Sequence, residues 1–246
     1  MNRVMKTHTA SEFSVSMRSL RSSWSYCRED FAAKFAELEE AGMFDENGSS
    51  ERIWETRNKY VLKVPVGDGK FVVYKSFRRI LKPAKFILRP SPCGTEAENY
   101  QLMADCGIPV PGIMAAGDIR KGFWLKTAFL VTEFAEGFRD GRDFMPGNAK
   151  AEQRELRAEF IRGHLELLAR CHNAGMLHRG FTPANLLYKT CGTQMEFMWI
   201  DLASCRRRPE FIVNHAAKRD IEQLFSYFDL TAQEKNNFID FYRQSR

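Results

Sequence analysis

Two segments in the second half of the chain carry polar side chains at spacings that suit metal chemistry. The sequence LLARCHNAGMLHRGFTPANLLY at 167–188 contains His178 and Asn185, and MWIDLAS at 198–204 contains Asp201. Amide and carboxylate oxygens are ligands for a hard cation such as Mg²⁺. Phosphoryl transfer needs such ligands, because the metal neutralises the charge that builds up on the phosphates. Asn185 and Asp201 therefore make phosphoryl transfer the first reaction to consider for this chain.

The order of these residues resembles that of protein kinases. A long helical pattern runs into His178-Arg179, Asn185 follows in the same loop, and a hydrophobic strand leads to Asp201. In protein kinases a loop Asn and an Asp after the next short strand hold the magnesium ions of the nucleotide. We count His178 with the catalytic set, and we expect it to brace the loop by hydrogen bonding.

A lysine in the first half of the chain completes this pattern. Lys75 lies in the β-rich segment FVVYKSF, where a side chain pointing into a cleft between two lobes could pair with the first two phosphates of a nucleotide. The alternative is an ordinary strand lysine that faces water. A helix carboxylate would have to hold the lysine, and Glu96 and Glu98 are the candidates. Glu96 is preferred, because Tyr100 four positions later places it beside the packed face of the helix.

The first half is predicted to be mostly antiparallel sheet. Asp68-Gly69 is a tight-turn signal between two β-rich segments, and apolar spacing from Tyr26 to Met43 predicts a helix. The other predicted elements of this half are strands at Tyr60–Val66, Phe71–Phe77, Ile113–Gly117 and Phe123–Phe134 and a helix at Thr95–Asp105. In VTEFAEG at 131–137, the backbone groups of Glu133 and Ala135 are expected to bind adenine.

The second half is predicted to be mainly helical. The expected elements are helices at Ala151–Ala174, Arg219–Phe228 and Thr231–Arg243 and short strands at Leu186–Tyr188 and Phe197–Ile200. The predicted fold is therefore α+β and two-lobed, like a protein kinase, with an antiparallel N-lobe sheet and one helix beside a mainly helical C-lobe. We expect an N-terminal arm and helix at 1–50, with 1–25 poorly ordered, then an N-lobe at 51–136 and a C-lobe at 137–246.

Composition limits the function classes. With 246 residues, 44% of them hydrophobic, the chain can bury one sizeable core or two small lobes. A net charge of +6 favours anionic partners such as a nucleotide, a phosphorylated glycan, acidic lipids or nucleic acid. The six cysteines form no CxxC pair, so the sequence favours a reducing compartment over a zinc site or a disulfide framework. No signal peptide or spanning helix is expected.

The chain as a whole resembles the lipopolysaccharide kinase family, which includes Kdo and heptose kinases of Gram-negative bacteria. The resemblance covers roughly residues 55–230 and rests on a basic connector with prolines and on the segments VVYKSF, EAENYQLMADCGIPVP, FLVTEFAEG, HRGFTPANLL, IDLAS and KRDIEQLF. It implies ATP as the donor, Mg²⁺, and a sugar of the lipopolysaccharide core, or another anionic sugar, as the acceptor. It also implies a cytoplasmic protein in peripheral contact with the inner face of the cytoplasmic membrane, and a supporting role for Asp220 beneath the catalytic loop.

The catalytic loop departs from the family pattern. The family has an Asp two residues after the loop His, where it accepts the proton of the attacking hydroxyl, and this chain has Gly180. General-base assistance contributes about 10²–10⁴ in rate, so its loss would weaken catalysis more surely than abolish it. Asp140 or Asp143 could replace the missing carboxylate. The chain also lacks a glycine-rich phosphate loop, and the turn that would cover the phosphates is expected near Glu55–Lys59.

Three function hypotheses follow. The first is an ATP-dependent kinase of a lipopolysaccharide core sugar, and the second is a pseudokinase that binds nucleotide or a partner in envelope biogenesis. The third, a nucleic-acid-binding protein, is disfavoured because the chain has no zinc pattern and no basic helix with interleaved aromatic residues. Two basic groups are either solvated faces or anion-binding surfaces: Arg206-Arg207-Arg208, and the connector residues Arg78, Arg79, Lys82, Lys85 and Arg89.

Overall fold

The computed structural model describes residues 24–78, 80, 83–87, 89–147, 151–192 and 194–246, with the backbone alone at 24 and 151–155. These residues form two compact units. One contains the described residues up to Glu98 together with Pro111–Phe134, and the other contains Asn99–Val110 and Ala135–Arg246. Most of the arm expected at 1–25 lies outside the described residues, as do Arg79 and Lys82 of the basic connector.

The first unit is built on a six-stranded, fully antiparallel sheet. Its strands are β1 (Trp24–Cys27), β2 (Glu51–Glu55), β3 (Lys59–Gly67), β4 (Lys70–Phe77), β5 (Ile113–Lys121) and β6 (Trp124–Glu133), in the spatial order β1-β5-β6-β4-β3-β2. Asp68 and Gly69 join β3 to β4 with φ values of 51° and 70°. Positive φ at both positions is the geometry of the tight turn that the Asp-Gly pair predicts.

Helix α1 (Ala32–Glu40) covers one face of this sheet. Its buried residues Phe35 and Leu38 pack with Leu62, Val72 and other strand residues in one apolar cluster. The ring of Phe35 lies 5.7 Å from that of Phe129, centroid to centroid, in β6. Val72 belongs to this cluster, so the alternation of side chains along β4 turns Lys75 toward the other face.

Helix α2 (Pro92–Asp105) crosses the division between the two units, and it ends before Gly107, which has a φ of 69°. Glycine adopts this left-handed conformation without steric cost, and a glycine just after the last turn is a common helix stop. Glu96 belongs to the first unit, whereas Asn99 and Tyr100 belong to the second.

The second unit is mainly helical, with α3 (Ala151–Asn173), α4 (Glu210–Phe225) and α5 (Ala232–Ser245). Thr231 and Glu234 form a capping box at the start of α5, which packs against α3. Five short strands accompany the helices: β7 (Arg139–Asp140), β8 (Met176–His178), β9 (Leu186–Cys191), β10 (Gln194–Trp199) and β11 (Cys205–Arg207). They form a sheet in the order β10-β9-β7 and an antiparallel ribbon of β8 and β11.

The α+β prediction is confirmed, and three element assignments need correction. The helix predicted from Tyr26 begins only at Ala32, because residues 24–27 pair with β5 as a strand. Helix α4 begins at Glu210, well before the predicted Arg219. The short strands β2, β7, β8 and β11 were not predicted, since runs of two to five residues carry too little periodicity.

Candidate functional site

In the first unit, Lys75 and Glu96 form a buried ion pair. Nζ of Lys75 lies 2.9 Å from Oε1 and 2.8 Å from Oε2 of Glu96. The side chains are only 11% and 2% exposed. A charge-assisted contact to both carboxylate oxygens in such a dry environment fixes the ammonium on this face of β4. The exposed Glu98, the alternative candidate, lies on another face of the helix.

Glu133, at the end of β6, has an ion-pair partner of its own. Its Oε1 accepts a hydrogen bond from Nη1 of Arg28 at 2.8 Å, and its backbone N–H donates to the carbonyl of Gly112 at 2.9 Å. A Cβ atom on Gly112 would lie 2.7 Å from Oε2 of Glu133, so a side chain at position 112 would displace this carboxylate. Any contact of Glu133 with adenine would therefore use its carbonyl, because its N–H is already engaged.

In the second unit, the catalytic-loop residues lie close together. Ile200 donates its backbone N–H to the carbonyl of Asn185 at 2.9 Å, next to the strand pair Leu186 and Trp199. This pairing brings Asn185 and the residue before Asp201 side by side. Nδ2 of Asn185 donates to the carbonyl of Gly180 at 2.8 Å, so the amide oxygen is the side-chain atom that this bond leaves available to a ligand.

Asp201 has an unusual backbone conformation, with φ 57° and ψ 55°. Its N–H donates to the hydroxyl of Tyr100 at 3.2 Å. Asn99 supports the next turn of the chain, because Nδ2 donates to the carbonyls of Leu202 at 2.7 Å and Cys205 at 3.1 Å. A non-glycine residue in the left-handed region requires such support from its surroundings.

His178 is buried at the end of β8 and is held neutral. Nδ1 accepts from the N–H of Gly180 at 3.3 Å and lies 3.3 Å from Oγ of Ser204. Burial lowers the pKa of His178 to about 4, against a smaller raising effect of the charges on Asp201 and Asp220. The ring therefore orients the loop through Nδ1 as a neutral hydrogen-bond acceptor.

A side chain at position 180 would have little room. A Cβ atom built on Gly180 lies 3.0 Å from Oγ of Ser204, 3.1 Å from Cε1 of His178 and 3.6 Å from Nδ2 of Asn185. The φ of Gly180 lies outside the left-handed region, so its backbone accepts any L-residue. The space is therefore limited by the Ser204 hydroxyl and the His178 ring and not by the backbone.

The proposed replacements for the missing carboxylate are engaged elsewhere. Asp140 accepts from Arg142 at 2.7 and 2.8 Å, and the side-chain hydrogen bond from Arg142 lowers the pKa of Asp140. Asp143 accepts from the hydroxyl of Tyr188 at 2.8 Å and pairs with Arg139 at 2.6 Å. The lowered pKa makes Asp140 a poor proton acceptor, and the carboxylate of Asp143 is occupied by Tyr188 and Arg139, which counts against either as a general base.

Asp220 is buried in α4 beside the long helix. Oδ2 of Asp220 lies 3.4 Å from Nε2 of His172, and Oδ1 lies 3.3 Å from Nη2 of Arg219. Its charge also reaches His178, as the raising effect on that pKa shows. The described contacts of Asp220 are thus with His172 and Arg219, and a hydrogen bond to the loop backbone is not among them, so its supporting role stays a prediction.

The donor set suits a nucleotide-bound magnesium better than a metal bound by protein alone. Among the residues that the structure describes, no group of three His, Cys, Asp or Glu side chains could hold a metal ion. Asn185 and Asp201 offer two oxygen ligands, and Mg²⁺ commonly takes its others from phosphates and water. The residues present therefore fit a magnesium ion that arrives with a nucleotide.

Arg28 supports Glu133 in the first unit, and Ser204 and Asn99 contact the loop segments of the second unit. The sequence did not single out any of the three. A serine in a short 3₁₀ turn (Leu202–Ser204) carries no motif of its own. Asn99 is visible only as a polar residue on a helix that also carries Glu96. All three acquire their importance from contacts with residues distant in sequence.

These features define a kinase-like protein, and comparison with known proteins supplies the family. Residues 78–242 match the model of the "Lipopolysaccharide kinase (Kdo/WaaP) family". The match covers more than half of the chain, so the protein belongs to this family, and the resemblance found in the sequence is confirmed. Glu96, His178, Asn185 and Asp201 lie inside the matched range, whereas Lys75 precedes it.

Solved structures support the fold. The chain is similar to a structure described as "WaaP in complex with acyl carrier protein", with 16% sequence identity and a TM-score of 0.56 over 88% of this chain and 83% of that chain. At this identity the similarity shows the fold, which is kinase-like. Comparison with curated protein sequences gives no match.

Proposed function

We propose that the protein is an ATP-dependent phosphotransferase whose acceptor is a sugar of the lipopolysaccharide core. The observation that carries this proposal is the Lys75–Glu96 ion pair, in a chain that belongs to a lipopolysaccharide kinase family. A buried lysine fixed by a helix carboxylate is the arrangement that positions the α- and β-phosphates of ATP in kinases. The carbonyl of Glu133 and the backbone of Ala135 would contact the adenine.

Asn185 and Asp201 would hold Mg²⁺, which would neutralise charge on the transferred phosphate. The amide oxygen of Asn185 and the carboxylate of Asp201 are the ligands in this proposal, and Tyr100 holds Asp201 in place through its backbone N–H. His178 and Asp220 act on the loop and not on the substrate. These residues would thus bind and orient the nucleotide and its Mg²⁺, and positioning of this kind is the larger part of catalysis in phosphoryl transfer.

Gly180 supports a second candidate function. The position where the family has its proton acceptor is Gly180, which has no side chain, and Oγ of Ser204 and Cε1 of His178 lie 3.0 and 3.1 Å from the place that a Cβ atom would take. A protein with this loop could bind nucleotide without transferring phosphate, and would then act as a pseudokinase with a regulatory partner. The kinase hypothesis is favoured because positioning and metal binding contribute more than a general base, whose share is about 10²–10⁴ in rate.

Contact with a membrane surface would agree with a glycolipid acceptor. Among the described residues, no helix combines the length and the apolar character that crossing a bilayer requires. Phe211 is 72% exposed and Ile212 is 37% exposed, shortly after three consecutive arginines. A basic and apolar edge of this kind favours the surface of an anionic bilayer.

The test combines nucleotide binding with phosphate transfer to purified core glycolipid. Wild type should bind ATP in the presence of Mg²⁺ and transfer phosphate, whereas Asp201→Asn should lose transfer. Asp240→Asn is the matched control, because Asp240 is an exposed aspartate of α5 paired only with Arg243 among its described contacts. Wild type that binds ATP without transfer, together with transfer by Gly180→Asp, would establish the pseudokinase. Wild type without any nucleotide binding would refute both.

A further inference from the structure

The ribbon formed by β8 and β11 presents a basic face. Cys205 pairs with His178, Arg206 with Leu177 and Arg207 with Met176. Side chains alternate along each strand, so alternate residues on either side of the ribbon share a face. One face carries the buried residues Met176, His178 and Cys205. The other face carries Leu177, Arg179, Ser204, Arg206 and Arg208.

These last five residues line a pocket of about 270 Å³. Three of the five are arginines, and none of the lining residues is acidic. The arginine side chains are exposed, and none of the described ion pairs joins Arg179, Arg206 or Arg208 to a carboxylate. Three arginines therefore line one concave space that has no acidic residue in its lining.

Part of this pocket is fixed in advance. Nη1 of Arg206 donates to the carbonyl of Ala203 at 3.0 Å and to that of Cys205 at 2.5 Å, so the backbone orients this guanidinium. The backbone N–H of Arg208 donates to the carbonyl of Gly175 at 2.8 Å, which anchors the strand end. Backbone carbonyls thus orient the Arg206 guanidinium without neutralising its charge, which is what an anion site requires.

We propose that this pocket binds a phosphate monoester carried by the acceptor sugar. A guanidinium offers paired N–H donors that match two phosphate oxygens, and three of them would balance a dianion. The pocket is slightly smaller than typical sites for small molecules, which are about 300–1,000 Å³. This volume suits a phosphate with part of its sugar.

The pocket borders the catalytic loop at Gly180. Oγ of Ser204, which lines the pocket, would lie 3.0 Å from a Cβ atom at position 180 and lies 3.3 Å from Nδ1 of His178. An aspartate at position 180 would place a negative charge beside the bound phosphate and repel it. Glycine at this position therefore favours an acceptor that already carries a phosphate. The sugar carrying that phosphate is the acceptor of the proposed function, and this part of the inference rests on it.

The first experiment measures phosphate binding alone. Inorganic phosphate is titrated into the full chain by calorimetry at pH 8 and constant ionic strength, without Mg²⁺ or nucleotide. Arg208→Gln should bind phosphate about tenfold more weakly, because it loses a charge-assisted hydrogen bond. Arg207→Gln is the matched control, since the neighbouring arginine loses the same charge but does not line the pocket. It should change the affinity less than threefold.

Two results would overturn the proposal. One is equal weakening by Arg207→Gln and Arg208→Gln, which would show a general effect of surface charge. The other is wild type that shows no saturable phosphate binding in the millimolar range. Circular dichroism of Arg208→Gln guards against misfolding, and Arg208→Lys should recover part of the affinity because it restores the charge without the paired donors.

A second experiment identifies the carrier and separates this inference from the proposed function. Phosphorylated core glycolipid is compared with the same glycolipid after phosphatase treatment, first for binding and then for phosphate transfer. Wild type should prefer the phosphorylated form at least tenfold, and Arg208→Gln should lose this preference. Inorganic phosphate should compete with the phosphorylated form for the pocket.

Lys75→Met should abolish transfer while it leaves inorganic phosphate binding unchanged. If wild type transfers no phosphate from ATP but binds inorganic phosphate more tightly than Arg208→Gln does, the proposed function fails and the anion site stands. If transfer proceeds equally on both glycolipid forms and Arg208→Gln has no effect, the proposed function stands and the anion site fails.

Discussion

The ammonium of Lys75 lies within hydrogen-bonding distance of both carboxylate oxygens of Glu96, at 2.9 and 2.8 Å. Both side chains are nearly removed from solvent, so each charge depends on the other for its stabilisation. A buried pair of this kind contributes little net stability compared with an apolar pair, but the loss of one partner leaves an uncompensated charge. Each side chain therefore fixes the position of the other on this face of the sheet.

Substitution of either partner should destabilise the first unit. Lys75→Met or Glu96→Gln alone should lower the free energy of unfolding by on the order of 3 kcal/mol, because each leaves one buried charge unpaired. The double variant should lose less than the sum of the two, since no buried charge then remains. Urea unfolding at pH 7 measures all three. Glu98→Gln, at an exposed position of the same helix, should change stability by less than about 0.5 kcal/mol.

A strictly additive double variant would contradict this prediction. Additivity would mean that the two charges act independently, in spite of their short contact. Lys75→Met and Glu96→Gln should also weaken nucleotide binding, whereas Glu98→Gln should bind nucleotide about as tightly as wild type.

Buried neutral histidines should make the protein less stable in mild acid. Burial lowers the pKa of His164 to about 3 and that of His178 to about 4, whereas an unfolded histidine titrates near 6.5. Below pH 6.5 the unfolded state therefore binds protons that the folded state does not. Stability is greatest above pH 6.5 and falls as the pH is lowered. Each histidine contributes a slope of up to about 1.4 kcal/mol per pH unit.

A substitution at His164 isolates this effect. His164→Leu removes one titrating group from the core, so its stability should fall less steeply than that of wild type between pH 6.5 and 5. His215→Gln is the control, because His215 is an exposed histidine of α4. Denaturant unfolding at several pH values measures the slopes, and an unchanged slope in His164→Leu would refute the assignment.

Tight packing around Gly180 should make substitution there mildly destabilising. A new Cβ atom must move the Ser204 hydroxyl or the His178 ring by a few tenths of an ångström. Gly180→Ala and Gly180→Asp should each lower the free energy of unfolding by about 1 kcal/mol, which is the lower end of the usual cost of overpacking. Ser204→Ala should relieve part of this cost in the double variants, because it removes the nearest atom. Thermal unfolding measures the series.

Phosphate affinity separates the charge of a side chain at position 180 from its size. Gly180→Ala should bind inorganic phosphate like wild type, and Gly180→Asp should bind it more weakly, because only the second variant adds a carboxylate beside the pocket. Equal affinities for the two variants would show that position 180 and the arginine pocket are not electrostatically coupled.

The parts of the fold that the sequence predicts are those with local signals. Asp68-Gly69 fixes a hairpin by its own backbone preferences, and the helical period from Glu96 to Tyr100 selects Glu96 over Glu98. The spacing of Asn185 and Asp201 implies adjacency, and the hydrogen bond from Ile200 to Asn185 provides it. In each case a few neighbouring residues determine the outcome.

The parts that were missed depend on distant partners. The apolar spacing of the helix that follows β1 extends back over this strand, and only its pairing with β5 makes it a strand. The three-residue strands β8 and β11 define each other across almost thirty positions, so neither has a pattern alone. The arginine pocket follows from this pairing. The sequence shows three consecutive arginines, but only the pairing of β8 with β11 shows that Arg206 and Arg208 share one face of the ribbon and that Arg207 lies on the other.

Two substitutions at Asp201 should separate its effect on backbone stability from its proposed role in metal binding. Asparagine tolerates the left-handed conformation that the residue adopts, whereas alanine does so at a cost of about 1 kcal/mol. Asp201→Asn should therefore keep wild-type stability within about 0.5 kcal/mol, and Asp201→Ala should not. Both variants remove the carboxylate, so both should bind ATP with the same affinity in Mg²⁺ as in EDTA. Wild type should bind more tightly in Mg²⁺.

Tyr100→Phe provides the complementary change. It removes the hydroxyl that accepts the N–H of Asp201, and a lost hydrogen bond of this kind costs about 1 kcal/mol. Because the carboxylate remains, Tyr100→Phe should retain the effect of Mg²⁺ on ATP affinity, although with a smaller enhancement. Fluorescence titration of the four proteins, each with Mg²⁺ and with EDTA, measures these affinities. Full Mg²⁺ enhancement in Asp201→Asn would show that this carboxylate is not a metal ligand.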